Sequence, residues 1–309
     1  MTSDIDVLIF VEDPGAANYI AEIPKALTEE GYRCRLMASG SAVDYLRQRD
    51  IPFEMVVPLA KANEVLTKAS PHLLLVGTSE NLDTLGLALV KEARAIGITS
   101  IGAVDAPMNA SYRFRGRTEN PLTYAPDWLL VTDHRTKNSY AELGYSDEKV
   151  VICGHPHYDY VREIGAQLAS KDRNALRKRL LPEAAKTPNV KVIVFVAETS
   201  SGLNPMQFQR SVEYTLHGRG SSNGRTEIVI EEFLDAVRLV SPKPYLVLRL
   251  HPKNTCEEFT PYIQEFDSIN SEGSPLELIY SADFVVGMTS QLLFEAVLLG
   301  KVTLAILPR

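Results

Sequence analysis

The residues best placed to do chemistry gather near the end of the chain, in YSADFVVGMTSQLLFEAVLLGKVTLAILPR from Tyr280 to Arg309. A buried apolar run, Phe284–Val286, leads through the small residues Gly287–Ser290 into a helical pattern at Gln291–Leu299. Gly300 stops that helix, and a second apolar run follows at Val302–Leu307. A strand that feeds a helix through Gly, Thr and Ser presents unpaired backbone N–H groups at the turn, which is an anion site. Glu295 lies about one helical turn further in. A phosphate at the tip and a carboxylate one turn inside suit the diphosphate and ribose hydroxyls of a nucleotide.

Other strand ends carry polar groups, and open α/β sheets bind ligands at the C-terminal ends of their strands. The first is Glu12-Asp13-Pro14-Gly15-Ala16-Ala17-Asn18. There Gly15 lets a ligand approach the backbone and Glu12 or Asp13 could act as a base; the plainer reading is a tight turn with an acidic helix cap. The next ends are Gly77-Thr78-Ser79-Glu80 and Asp105-Ala106-Pro107. Beyond the latter, Arg113, Arg115 and Arg117 alternate with other residues, a pattern suited to phosphate or carboxylate recognition by forked guanidinium groups, or to a solvated loop. Arg249-Leu250-His251-Pro252-Lys253 ends a strongly apolar strand with three basic residues, which alternation places on one face until Pro252 turns the chain. His251 can donate to a diphosphate or cap the strand. Ala197-Glu198-Thr199-Ser200-Ser201-Gly202 resembles a phosphate loop without the Gly-x-x-x-x-Gly-Lys-Ser/Thr spacing. The His-x-His of Gly154-His155-Pro156-His157-Tyr158-Asp159 has no matching ligands nearby in sequence, so it reads as a polar turn and no metal is expected.

Two α/β domains are the expectation for 309 residues of which 45% are hydrophobic and 23% charged. A net charge of −7 argues against a general nucleic-acid binder. The scattered Cys34, Cys153 and Cys256 lack metal-ligand spacing and favour a reducing compartment. The N-terminus has no basic segment before its short apolar run, and no apolar run reaches about 18 residues, so a cytoplasmic protein is expected.

The elements that must position these groups follow a strand–helix rhythm. Strands are expected at Val7–Val11, Tyr32–Ala38, Phe53–Val57, His72–Val76, Ser100–Val104, Trp128–Thr132 and Val150–Cys153. Helices are expected from Pro14 to about Glu30 and at Ala42–Arg49, Ala60–Ala69, Leu82–Ala95 and Arg135–Leu143. Residues 160–190 turn charged and helical, and a second series begins at Val190–Ala197. It continues with a helix at Glu227–Leu239, a strand at Tyr245–Leu250 and a short helix at Thr260–Phe266. The expected division is 1–165, a linker or entry helix at 166–189, and 190–309. The most loop-like segment, Gly218–Arg225, reads as a surface loop, with a mobile lid as the other reading.

Taken together, these features resemble the GT-B superfamily of nucleotide-sugar glycosyltransferases and the related UDP-N-acetylglucosamine 2-epimerases. The segments that carry the likeness are YAPDWLLVTDHRTKNSYAELGYSDEKVVICGHPHYD, LRLHPK and SADFVVGMTSQLLFEAVLLGK. It implies two Rossmann-like, doubly wound α/β domains facing across a cleft and closing over a donor. By the likeness Thr289, Ser290 and Gln291 would hold the diphosphate, Glu295 the ribose and His251 a phosphate, with Arg249 and Lys253 beside it. The N-terminal domain would bind the acceptor, with Asp13 or Asp105 as base; Gly15, Arg113, Arg115 and Arg117 are the substrate-binding candidates read from the residues themselves. No cofactor or metal is implied beyond the nucleotide-sugar itself, because a helix N-terminus and basic side chains neutralise the leaving diphosphate. The leading expectation is sugar transfer to a glycan or a lipid-linked acceptor, the latter bringing peripheral membrane contact. The alternatives are a UDP-N-acetylglucosamine 2-epimerase-like enzyme and a non-catalytic nucleotide- or sugar-binding protein. Proteins of this fold continue with further helices, whereas this chain stops at Leu307-Pro308-Arg309, so its C-terminal domain is expected to be incomplete.

Overall fold

Unbroken apolar runs of four to seven residues, rich in Val, Ile and Leu, need cover on both faces, which is the requirement of a parallel sheet packed between helices. The computed structural model, which describes residues 5–57, 60–199 and 205–308, meets it twice. Two compact units divide at Asp159/Tyr160.

In the first unit, seven strands pair in parallel: β1 (Ile5–Val11), β2 (Cys34–Ala38), β3 (Glu54–Met55), β4 (Pro71–Gly77), β5 (Thr99–Val104), β6 (Trp128–Val131) and β7 (Val150–Ile152). Their spatial order is β3-β2-β1-β4-β5-β6-β7, so the winding reverses between β1 and β4. Alternation sorts the core. Val7, Ile9, Val11, Leu36 and Leu75 pack on one face, and Leu8, Phe10, Met37, Leu74 and Val76 on the other.

The second unit carries β8 (Val192–Val196), β9 (Tyr245–Arg249), β10 (Ser268–Asn270), β11 (Phe284–Gly287) and β12 (Val302–Ala305) in the order β10-β9-β8-β11-β12. Here the reversal falls between β8 and β11, whose register sets Phe284 beside Ile193 and Val286 beside Phe195. Val192, Val194, Val247 and Val285 face one helical layer; Phe195, Leu246, Leu248 and Val286 face the other.

Several expectations need correction. The first helix is two, Pro14–Ile20 and Ile23–Glu29, because Pro24 in the first turn of the second lacks the N–H that would continue the ladder. Residues 166–189, expected as a linker or entry helix, are largely helical. The helices Arg173–Leu180 and Pro182–Ala185 belong to the second unit, where Leu181 and Ala184 join its core. Arg173 and Arg177 both reach Asp283 and the Ser281 carbonyl, and Arg173 also donates to the carbonyls of Tyr280 and Ala282. His157 is not in a turn but opens the helix His157–Ala169. Thr260–Phe266 is not one helix: single 3-10 turns stand at Cys256–Phe259 and Ile263–Glu265. β10 and the helices Ala110–Arg113 and Pro275–Ser281 are additions the sequence did not announce. Among the described residues no helix is long and apolar enough to cross a membrane.

Candidate functional site

Each unit gathers its polar groups where its sheet winding reverses, the place where doubly wound sheets leave a crevice. In the first unit β1 delivers Glu12 and Asp13. Asp13 is spent locally: its Oδ1 accepts the Gly15 N–H at 3.1 Å and caps the helix Pro14–Ile20. Glu12 faces the start of the helix that follows β4, where the backbone N–H groups of Leu85 and Gly86 favour its ionised form. Burial, with the Asp13 charge adding to it, outweighs those two donors and pushes the Glu12 carboxyl up to about 7. Glu12 is therefore a group poised to exchange a proton near neutrality.

Asp105, at the end of β5, is fixed by Arg113. One guanidinium nitrogen donates to Asp105 Oδ1 and to Thr78 Oγ1, both at 2.7 Å, and Nε donates to the Met108 carbonyl at 3.2 Å. Arg113 is only 5% exposed, so its positive charge is consumed in holding Asp105. A Cβ on Gly15 would stand 2.5 Å from Asp105 Oδ2, which explains the glycine: the carboxylate lies against the helix backbone. The other two arginines of the expected cluster go elsewhere. Arg115 stacks at 4.2 Å over the Tyr112 ring, and Arg117 pairs with Asp83 on the surface. The alternating spacing thus produces three separate environments.

At the end of β7, His155 is buried between the rings of Tyr19 (4.9 Å) and Tyr158 (4.7 Å). Burial and the neighbouring His157 push it down to about 4, so it is neutral at physiological pH. Among the described residues no group of three or more His, Cys, Asp and Glu could hold a metal ion.

In the second unit, the turn after β11 has the form read from the sequence. Ser290 caps the helix Gln291–Leu298 by accepting the Leu292 N–H, Thr289 is exposed, and Glu295 is buried within the helix. Glu198, just past β8, crosses the reversal point and accepts the Thr289 N–H, while its second oxygen accepts the Thr289 hydroxyl at 2.9 Å. Arg225, first residue of the helix Arg225–Val237, donates to that second oxygen at 3.1 Å. The expected phosphate loop continues into Ser200, Ser201 and Gly202, which lie outside the described residues.

The basic trio separates as well. Arg249 is buried and its guanidinium binds Asn270 Oδ1 and the carbonyls of Glu272 (2.7 Å) and Gly273, tying β9 to the segment after β10. The strand ends at Arg249, so its alternation does not extend to His251. His251 sits in a tight turn in which its Nδ1 accepts the Lys253 N–H at 3.1 Å, which leaves Nε2 as the donor of the neutral ring. Lys253 is exposed. The loop that raised the question of a lid is fastened: Glu232 takes the N–H groups of His217 and Gly218, and Arg219 forks onto Asp235 and Glu265. The contact of Glu198 with Arg225 and Thr289 was not foreseen. The signal of the two charged residues was positional, one just past a strand and the other opening a helix.

No protein-family model matches the sequence, and no curated protein matches it. Solved structures do match. The UDP-GlcNAc 2-epimerase from Neisseria meningitidis, bound to UDP-GlcNAc, superposes with a TM-score of 0.68 at 15% identity, over 99% of this chain and 84% of that one. The Methanocaldococcus jannaschii UDP-GlcNAc 2-epimerase in complex with UDP-GlcNAc and UDP gives 0.63 at 14%, over 97% and 83%. Anabaena HepE in complex with UDP gives 0.63 at 12%, over 97% and 80%. At these identities the likeness is one of fold, and the fold of this chain is GT-B, as in the UDP-GlcNAc 2-epimerases.

Proposed function

We propose that the chain binds a uridine-diphosphate sugar and inverts a stereocentre of the sugar, as an epimerase, rather than passing the sugar to an acceptor. The observation that carries this reading is the fold likeness, over 97–99% of the chain, to UDP-GlcNAc 2-epimerases, including two with UDP-GlcNAc bound. It favours the epimerase over the glycosyl transfer that led from sequence.

On this reading the turn at Thr289, Ser290 and Gln291 receives the diphosphate at a helix N-terminus, where backbone N–H groups and the helix dipole both favour an anion. Glu295 accepts from the ribose hydroxyls, and His251 donates to a phosphate through Nε2, with Lys253 adding charge. Inverting a carbon requires that a hydrogen leave one face and another arrive on the opposite one, so a group able to take a proton and a group able to give one are both needed. Glu12, poised near neutrality, suits either role, and Asp105, held by Arg113, is a second carboxylate of the first unit. Arg113 acts by holding Asp105 rather than by touching substrate. The reading calls on no metal, so turnover is expected to persist in EDTA.

The test is incubation with UDP-GlcNAc alone, followed by proton NMR of the anomeric region. New signals of the N-acetylmannosamine isomer, bound to UDP or released, are the expected result. UDP-GlcNAc that stays unchanged until an acceptor is added would return the chain to the glycosyltransferases.

A further inference from the structure

The anion site expected at the turn after β11 is already satisfied from within the chain. Glu198 spans the winding reversal and puts one oxygen on the Thr289 N–H and the other on the Thr289 hydroxyl. The oxygen that takes the hydroxyl also takes Arg225 Nη2. Both side chains of that ion pair are largely withdrawn from water, with 13% of Glu198 and 23% of Arg225 accessible. Arg225 Nε is buried and has no hydrogen-bond partner among the described residues, so the guanidinium has donor capacity that Glu198 does not use. An amide, a hydroxyl and a guanidinium thus converge on one carboxylate. That set of donors is also what a phosphoryl group asks for, and a guanidinium fork suits a phosphate at least as well as a single carboxylate oxygen.

We infer that Glu198 is an internal stand-in for phosphate, and that Arg225 is an additional phosphate-binding residue that passes from Glu198 to an incoming diphosphate. The inference rests on the diphosphate reading of this turn given above and adds a residue and an exchange to it. Two anions cannot share the Thr289 N–H at hydrogen-bond distance without a large like-charge cost, so the diphosphate enters only as Glu198 leaves. The exchange conserves donors: the Thr289 amide, the Thr289 hydroxyl and Arg225 Nη2 each have a partner before and after. Closure by its own carboxylate keeps the empty site paired, and it lowers the apparent affinity by the fraction of time that Glu198 occupies it. A purely structural Glu198, one that braces the turn and stays in place, has the opposite consequence, because removing it would loosen the site and weaken binding.

The experiment titrates inorganic pyrophosphate and, separately, UDP into the full chain by calorimetry. Wild type, Glu198→Gln, Arg225→Gln and Arg225→Lys are compared, and the Thr289 amide is followed by 15N NMR. Losing a charge-assisted competitor should tighten pyrophosphate binding to Glu198→Gln about tenfold. The Thr289 amide should move on the substitution and again on adding pyrophosphate. Arg225→Gln should bind about tenfold more weakly, with Arg225→Lys in between because it keeps the charge and loses the fork. Thermal melting of each variant separates lost folding from lost binding. Equal or weaker pyrophosphate binding by Glu198→Gln, or a Thr289 amide that ignores the anion, overturns the exchange. So does the absence of pyrophosphate binding in every variant. If pyrophosphate behaves as expected and UDP binds to none, the exchange stands and the nucleotide reading falls. If wild type binds UDP and Glu198→Gln binds neither ligand more tightly, the nucleotide reading stands and the exchange falls.

Discussion

Cutting either partner from the Arg113–Asp105 pair should cost far more than cutting both. Arg113 is 5% exposed and has three partners: Asp105 Oδ1 and the Thr78 hydroxyl at 2.7 Å, and the Met108 carbonyl at 3.2 Å. Asp105→Ala leaves a buried guanidinium with two neutral acceptors and no counter-charge, a loss of about 3–5 kcal/mol for a buried pair. Water still reaches 19% of the Asp105 side chain, which places the expectation at the lower end, about 3 kcal/mol. Arg113→Met should cost a similar amount by stranding the carboxylate. The double variant Arg113→Met/Asp105→Leu strands no charge and should recover most of the loss, giving a coupling of about 2 kcal/mol or more in a double-mutant cycle. Urea unfolding followed by tryptophan fluorescence reads this directly. The only tryptophan of the chain, Trp128, opens β6 and lies beside Ile101 of β5, the strand that leads to Asp105. Single variants that each cost under about 1 kcal/mol, with a double equal to their sum, would refute the reasoning.

Two further outcomes follow from the same end of the first sheet. Glu12 is raised from 4.5 to about 7 in the folded chain, so the native state holds that proton more tightly than the unfolded one. The associated stability is fully present below pH 4.5 and is lost as the pH rises through about 7. Glu12→Gln removes the slope and should gain on wild type by about 2 kcal/mol between pH 4.5 and 8, measured as urea stability against pH. A constant difference across that range would show that Glu12 titrates normally. Gly15→Ala places a methyl group 2.5 Å from Asp105 Oδ2 and should cost about 1–3 kcal/mol in wild type. It should cost much less in Asp105→Ala, and equal costs in the two backgrounds would mean that the carboxylate is not the obstacle.

Much of this was readable from the chain because parallel sheets write themselves as apolar runs. β1, β4, β8 and β11 stand within a few residues of where their Val, Ile and Leu content put them. The turn at Gly287–Ser290 and the helix after it were likewise visible, since a small-residue turn between a strand and a helix is a local pattern. What stayed hidden is long-range. The spacing of Arg113, Arg115 and Arg117 says that three cations are neighbours in sequence; it does not say that Thr78, 35 residues away, and Asp105 draw the first into the interior. Nor does the local pattern at the end of β9 show that Arg249 meets Asn270 on the adjoining strand. Glu12 and Asp13 are one residue apart and chemically alike. Only the start of the helix after β4, brought in by the β1–β4 pairing, tells the half-buried Glu12 from the capping Asp13. Glu198 meets Thr289 across 91 residues, a contact that no local pattern announces.

The central claim, a nucleotide-sugar site at the winding reversal of the second sheet, is tested most directly by titrating UDP into the full chain by calorimetry, wild type beside Glu295→Gln. Saturable binding to wild type, weakened about tenfold or more by loss of a carboxylate that accepts from the ribose hydroxyls, is the expected result. Absence of UDP binding, or equal affinity in the two proteins, would contradict the site as drawn.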